Sequence, residues 1–207
     1  MEVKNLIFDL GGVLLNLDFE KTFKAFTLLG VADFQTYFQQ SHSNPLFARL
    51  EQGQVEPAGF YAEFRQATGL SVPDKAMADA WNAMLLDFRD ASMEYLKGLQ
   101  GRYRLFLLSN TNQIHLEAFR EIYFRQYGNH GFDAHFEKTW YSHEIGLRKP
   151  NVQCYLEVLG QKALHPGETL FIDDTLINIH GAQKAGLHTI HLQKGETIEE
   201  RLPQWLT

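Results

Sequence analysis

Four short apolar runs organise the chain: Val3 to Phe8, Tyr103 to Leu108, Thr169 to Ile172 and Thr189 to Leu192. Each is closed by polar or turn residues. Predominantly apolar runs of so short a length are the mark of strands buried on both faces, as in a parallel sheet. A weaker fifth candidate spans Lys138 to Tyr141. Between these runs, apolar residues recur at helical spacing over Ala91 to Leu99, Gln113 to Tyr127, Val152 to Leu159 and Leu176 to Lys184. Gly186 reads as the C-terminal stop of the last helix. Strand–helix alternation predicts an α/β fold, a doubly wound parallel sheet of Rossmann-like type with right-handed crossovers.

The stretch from about Asp18 to Asp87 has a different pattern. Phe19, Phe23 and Phe26 fall at helical spacing, as do Phe60, Tyr61, Phe64 and Ala67, then Met77, Trp81, Met84 and Leu85. Pro45, Pro57 and Pro73 punctuate these segments, and the last two sit where a first helical turn starts. No convincing strand is visible. The expected organisation is a core built from residues 1–17 and 88–207, with a helical insertion over 18–87. An insertion after the first strand lies over the ligand crevice of such a sheet, where it can act as a lid. A plain helical subdomain is the alternative. Its aromatic residues (Phe19, Phe23, Phe34, Tyr37, Phe38, Phe47, Phe60, Tyr61) read as subdomain core rather than as a sugar-stacking surface.

Composition narrows the class. The 207 residues are 44% hydrophobic and 21% charged, as in an ordinary globular protein. Lys and Arg number 19 against 25 Asp and Glu, a net charge of -6 that argues against nucleic acid as a partner. A single cysteine, Cys154, excludes an internal disulfide and fits a reducing compartment. The first residues lack a signal-peptide layout, and no apolar stretch approaches the ~20 residues that span a bilayer. The expectation is a cytoplasmic protein, monomer or homodimer, away from membranes.

The chemistry is concentrated where strands end. Asp9 follows Leu6-Ile7-Phe8 and precedes Leu10-Gly11-Gly12. Ser109-Asn110-Thr111 follows the second run, Asp173-Asp174 follows the third, and Lys149 lies in Gly146-Leu147-Arg148-Lys149-Pro150 before a predicted helix. Three carboxylates, a hydroxyl, an amide and an ammonium group would share one edge of one sheet. Crowded carboxylates repel one another unless a divalent cation is present, and hard oxygen ligands favour Mg2+. Lys149 and Ser109 can offset charge on phosphoryl oxygens, and an aspartate can attack phosphorus to form an aspartyl-phosphate. Asp9 is the candidate nucleophile, with Gly11 and Gly12 letting the backbone close around a phosphate. Singly, each piece has a plainer reading. Asp173-Asp174 and Ser109 can cap helices, and Lys149 can be a solvated loop lysine. Their order and context carry the inference.

In that order, the motifs resemble those of the haloacid dehalogenase-like superfamily. They are Phe8-Asp9-Leu10-Gly11-Gly12-Val13-Leu14, Leu107-Leu108-Ser109-Asn110-Thr111, Ser142 to Pro150, and Phe171-Ile172-Asp173-Asp174 with Asn178 following. The resemblance covers essentially the whole chain. It implies that the insertion is the small helical cap of that family, with Arg49-Leu50-Glu51-Gln52-Gly53 a loop dipping toward the site. More narrowly, the chain is similar to the branch of bacterial α-glucose-1-phosphate phosphatases and the phosphatase domain of soluble epoxide hydrolase. The resemblance implies an Mg2+-dependent phosphatase with Asp9 as nucleophile and metal ligand. The Gly11 carbonyl and Asp174 would bind the metal, as would Asp173 directly or through water. Ser109, Asn110, Lys149 and Gly12 would hold the phosphate. A small phosphorylated metabolite, a sugar phosphate first, is the expected substrate.

Gly11 departs from the pattern. Most phosphatases of the family carry an aspartate there, as acid to the leaving alcohol and then base to water. Such help is worth roughly 10²–10⁴ in rate. Without it, substrates whose leaving oxygen departs readily are favoured, or an acid comes from water or the cap. His42, His115 and His143 are candidate donors, though a lone histidine is more often structural. Three competing readings remain: a phosphate-binding pseudo-enzyme, a 2-haloacid dehalogenase, and a phospho-accepting receiver module. Length, motif order and the cap disfavour the last.

Overall fold

A computed structural model describes residues 2–39 and 45–206. In chain order the elements are β1 (Asn5–Phe8), β2 (Leu15–Leu17), α1 (Phe19–Leu28), α2 (Phe34–Gln39), α3 (Pro45–Glu51), α4 (Pro57–Thr68), α5 (Asp74–Asn82), β3 (Leu85–Phe88), α6 (Asp90–Leu99), β4 (Arg104–Ser109), α7 (Gln113–Tyr127), β5 (Lys138–Tyr141), α8 (Ser142–Ile145), α9 (Val152–Gln161), β6 (Thr169–Asp173), α10 (Leu176–Lys184), β7 (His188–His191) and α11 (Ile198–Arg201). The five apolar runs form one sheet in the order β5-β4-β1-β6-β7, every pair parallel. The chain leaves β1 for β4 and β5 on one side and returns to β6 and β7 on the other. The crevice at that reversal, outside the strands' C-terminal ends, is where such sheets bind ligands.

Alternation along the strands explains why the centres of these runs are apolar on both faces. Leu6 and Phe8, Leu105 and Leu107, and Leu170 and Ile172 face a cluster completed by Met93 and Leu96 of α6 and Leu116 and Phe119 of α7. Ile7, Phe106, Leu108 and Phe171 face the opposite cluster, with Cys154, Tyr155 and Val158 of α9 and Ile179 of α10. Helices thus cover both faces, so neither set of side chains reaches water.

Helices α1 to α5 build a third cluster of their own around Phe26, Phe34, Phe47, Phe60, Phe64 and Trp81. Phe26 stacks on Phe34 at 4.0 Å between ring centroids. Pro57 occupies the first turn of α4, whereas Pro73 is the N-cap residue preceding α5. Phe38 packs on the rings of Phe34, Phe47 and Trp81 at the edge of this interior; Phe19 does not belong to it. Phe19 is 43% exposed, and both Phe19 and Phe38 line the cavity described below. The side chain of Tyr37, and all of His42, lie outside the described residues.

One expectation is corrected at the junction. Leu85 is not on a helix: β3 pairs antiparallel with β2, with Leu15 opposite Phe88 and Leu17 opposite Leu85. Backbone bonds from Asp18 N to Met84 O and from Arg89 N to Leu14 O, both 2.9 Å, continue the pairing at either end. Strands this short have little intrinsic preference; they form because each gives the other a partner. Among the described residues, no helix is long and apolar enough to cross a membrane.

Candidate active site

The register of the sheet sets the site. Phe8 pairs with both Leu107 and Ile172, so Asp9 and Asp173 emerge side by side at the C-terminal edge. Ser109 lies just beyond on the other flank. Ser109 and Asp173 are the last residues of β4 and β6, not the first of the loops after them. Asp9 N donates to Ile172 O at 2.9 Å, which anchors the nucleophile candidate's backbone to the neighbouring strand.

Lys149 is not a solvated loop lysine. Its side chain is 1% exposed, and Nζ lies 2.8 Å from Asp9 Oδ1 and 2.6 Å from Asp173 Oδ2. The Asn110 amide holds the lysine's backbone from both sides. Nδ2 donates to Lys149 O at 2.8 Å, and Lys149 N donates to Oδ1 at 2.9 Å. Asp173 is heavily engaged as well: it accepts from Thr175 N at 2.8 Å and, through both oxygens, from Asn178 Nδ2 at 3.2 and 3.1 Å. Asp173 therefore does make the cap-like bond that its place before α10 allows, in addition to binding Lys149. Ser109 is buried but does not cap α7; Asn112 does, accepting from His115 N. Asp174 is exposed and accepts from Thr175 Oγ1 at 3.1 Å.

Asp9, Asp173 and Asp174 each offer an oxygen, all within 4.8 Å of one another. Burial pushes the Asp9 carboxyl up to about 7, Lys149 opposes the rise, and Asp173 and Asp174 add to it. Asp174, exposed at the rim but partly desolvated against the cluster, is raised too, by that desolvation and then by Asp173. Burial also works against the Lys149 charge, but Asp173 and Asp9 win, and its pKa is raised. One ammonium facing three carboxylates leaves excess negative charge, and the donors are all hard oxygens. That set fits a small divalent cation.

Two glycines permit the close packing. Gly12 has φ +72, and a Cβ there would stand 2.0 Å from Asp174 Oδ2. A side chain at 12 would displace the carboxylate. At Gly11, a Cβ would stand 2.7 Å from Leu17 Cδ1, so an apolar side chain borders the place of the missing acid.

A cavity of about 320 Å³ opens above these groups, lined by residues of both the sheet edge and the helical insertion. From α3, Glu51 reaches across to Arg148 at 2.6 Å. Burial raises the Glu51 pKa, and Arg148 opposes the rise. Just beyond α3, Gly53 (φ +67) presses against the backbone of His143, where a Cβ would stand 2.1 Å from its carbonyl oxygen. His115 also lines the cavity. Its Nδ1 lies 2.8 Å from Asn82 Oδ1, its ring stacks on Trp81 at 4.9 Å, and burial drives its pKa down to about 3. It is neutral at pH 7 and holds no proton to give as an imidazolium. Burial lowers His143 too.

The Arg148–Glu51 pair, the Asn110 clamp and the Ser142 bridge were not singled out from sequence. Ser142 Oγ accepts from Thr111 N and donates to Thr111 O, each at 2.9 Å, tying the loop after β4 to α8. The only signal was proximity in sequence to a motif residue.

A three-layer α/β sheet with a carboxylate cluster and a buried lysine at its switch point defines a hydrolase-type phosphate site. The chain belongs to the haloacid dehalogenase-like hydrolase family, whose model matches residues 3–186. It is 28% identical to a D-ribitol-5-phosphate phosphatase of Bacteroides thetaiotaomicron over 97% of each chain. It is 28% identical to a sesquiterpene phosphatase of Aspergillus oryzae over 91% of this chain and 89% of that one. Among solved structures it resembles a family enzyme of Bacteroides thetaiotaomicron in complex with magnesium and inorganic phosphate. The TM-score there is 0.84 at 33% identity, covering 96% of this chain and 98% of that one.

Proposed function

We propose that the protein is an Mg2+-dependent phosphatase of small phosphate monoesters, working through an aspartyl-phosphate at Asp9. The observation that carries this reading is the Asp9 carboxylate held 2.8 Å from a buried lysine within a three-carboxylate cluster. An Asp9 oxygen bonds to phosphorus as the ester P–O bond breaks. The departing oxygen takes its proton from water, since Gly11 offers none. Water then attacks phosphorus, frees Asp9 and releases inorganic phosphate.

Lys149 and the Ser109 hydroxyl hold phosphoryl oxygens and offset their charge. Asn110 positions the lysine through both ends of its side-chain amide, and its remaining side-chain N–H is free to hold a phosphoryl oxygen. Gly12 keeps the loop close. Asp9, Asp174 and the Gly11 carbonyl would hold Mg2+, with Asp173, already bound to Lys149 and Asn178, acting directly or through water. The cation supplies neutralisation of the crowded carboxylates and of the phosphoryl oxygens. Residues 18–87 act as the cap over this site and 1–17 with 88–207 as its core. The magnesium and phosphate in the related enzyme and the phosphatase names of the relatives support the reading. Those two names point to opposite substrates, a polyol phosphate and a terpenoid phosphate.

The test is hydrolysis of p-nitrophenyl phosphate and acetyl phosphate with and without Mg2+. Turnover that needs the metal and vanishes in Asp9→Asn is expected. A folded protein that binds phosphate but turns over no ester in a broad panel is a pseudo-enzyme instead. Chloride release from 2-chloropropionate without metal would make it a dehalogenase.

A further inference from the structure

The wall of the cavity beyond the phosphate site is apolar. Leu15, Leu17, Phe19, Phe38, Met84 and Leu85 line it. Ile177, also in the lining, is 56% exposed, and its neighbour Leu176 is 50% exposed, so the apolar surface continues to the rim. Several of the polar side chains there are already occupied. Thr175 donates to Asp174 and Asn178 to Asp173. His115 is bound to Asn82, and Glu51 is paired with Arg148. Thr111 and the buried Trp81 Nε1 and Arg148 Nε, which have no hydrogen-bond partner among the described residues, remain for a substrate hydroxyl, few groups against a wall of apolar carbon. A polyol phosphate entering this cavity would lose water from several hydroxyls and recover few hydrogen bonds. An apolar chain or ring would lose nothing by the same move.

We propose that this site selects the monophosphate of a hydrophobic alcohol or phenol and discriminates against polyol and sugar phosphates. The inference rests on the phosphatase reading for the place of the phosphate and reverses the sugar-phosphate expectation. Gly11 agrees with it. The position that carries a carboxyl group in most relatives is here bordered by Leu17, so the leaving oxygen sits against a methyl group.

Straight-chain alkyl phosphates from ethyl to hexyl test this, because their leaving groups differ in apolar length and scarcely in basicity. Inhibition constants against p-nitrophenyl phosphate, with Mg2+ present, should fall about three- to fourfold per methylene until the cavity is full. 1-Naphthyl phosphate should bind at least as well as hexyl phosphate. Ribitol 5-phosphate and glucose 6-phosphate should bind at least tenfold more weakly. In Leu17→Ser, and in Phe38→Ser on the insertion, the dependence on chain length should flatten. A flat alkyl series in the wild-type protein, or tighter binding of ribitol 5-phosphate than of hexyl phosphate, overturns the proposal. If no ester at all is hydrolysed, the phosphatase reading fails by itself. Calorimetric binding of the same compounds to the full chain with Mg2+ then decides the preference by the same criteria.

Discussion

Gly11 and Leu17 set the chemical character of the site together. A carboxyl group at 11 would meet Leu17 Cδ1, the movable end of a side chain rather than backbone. Restoring an acid is therefore a matter of making room. Gly11→Asp combined with Leu17→Ala should raise kcat on butyl phosphate, by on the order of 10²-fold if the carboxyl group reaches the leaving oxygen. The gain on acetyl phosphate, whose leaving group needs no proton, should be far smaller. Equal gains on the two substrates would show that the added carboxyl is not acting as an acid. His115 makes a second prediction at this scale. Its pKa is about 3 in the folded state against about 6.5 unfolded. Its unfolded form binds a proton that its folded form refuses, so the cost to stability begins near pH 6.5 and grows as pH falls toward 3. Between pH 6.5 and 5, denaturant titration of the wild-type protein should lose about 2 kcal/mol more than His115→Gln does. Parallel pH profiles for the two would refute the burial argument. The site residues were legible because each ends a strand run or opens a predicted helix. What each one touches was not. Neither the engagement of Asn110 with the Lys149 backbone nor the reach of Glu51 to Arg148 has a sequence period, since both depend on two loops meeting in space.

Among the elements, the buried strands and the helices α6, α7, α9 and α10 were readable to within about two residues, because a two-sided sheet enforces continuous apolarity and its covering helices an apolar stripe. The hairpin-like pairing of β2 with β3 was not. Leu85 fits the helical spacing of Met77, Trp81 and Met84 as well as it fits a strand, and only the approach of Leu17 decides between them. That pairing sits where the chain enters and leaves the helical insertion. The second link between insertion and core is the Glu51–Arg148 pair. Burial raises the Glu51 pKa despite Arg148, so the carboxylate charge is costly where it sits, and the two substitutions should be unequal. Glu51→Gln removes that cost and leaves a partly exposed arginine; its effect on stability should stay within about 1 kcal/mol. Arg148→Met leaves the carboxylate without the cation that opposes it and should cost roughly 2–3 kcal/mol at pH 7. Because the folded pKa of Glu51 lies above its unfolded value, that loss is absent below about pH 4.5 and develops as pH rises through the folded value. A double-mutant cycle followed by urea denaturation at pH 7 and pH 4.5 measures it. Equal losses for the two single variants would contradict the desolvation argument.

For the whole molecule, the carboxylate cluster couples ligand binding to stability. Asp9 titrates near 7 in the metal-free protein, well above its ordinary value near 3.8. A raised carboxyl pKa contributes stability that is fully present below the unfolded pKa and is lost as pH rises through the folded one. The metal-free protein should therefore be strained most at pH 8, where Asp9 is charged beside Asp173 and Asp174 and, among the described residues, Lys149 is the one cation opposing them. A divalent cation relieves that repulsion, and anything that binds only the folded state stabilises it by mass action, about 2.7 kcal/mol at a hundredfold excess over Kd. For a domain of this size that corresponds to a rise in Tm on the order of 5–10 °C. The rise on adding Mg2+ should be larger at pH 8 than at pH 5.5, where protons compete for Asp9. EDTA should reverse it. Asp9→Asn removes one of the repelling charges. It should raise the Tm of the metal-free protein at pH 8 and shrink the Mg2+ shift, even as it abolishes turnover. If Asp9→Asn instead lowers that Tm, the pair with Lys149 outweighs the repulsion, and the negative charge of the cluster is not what prepares the site for its cation.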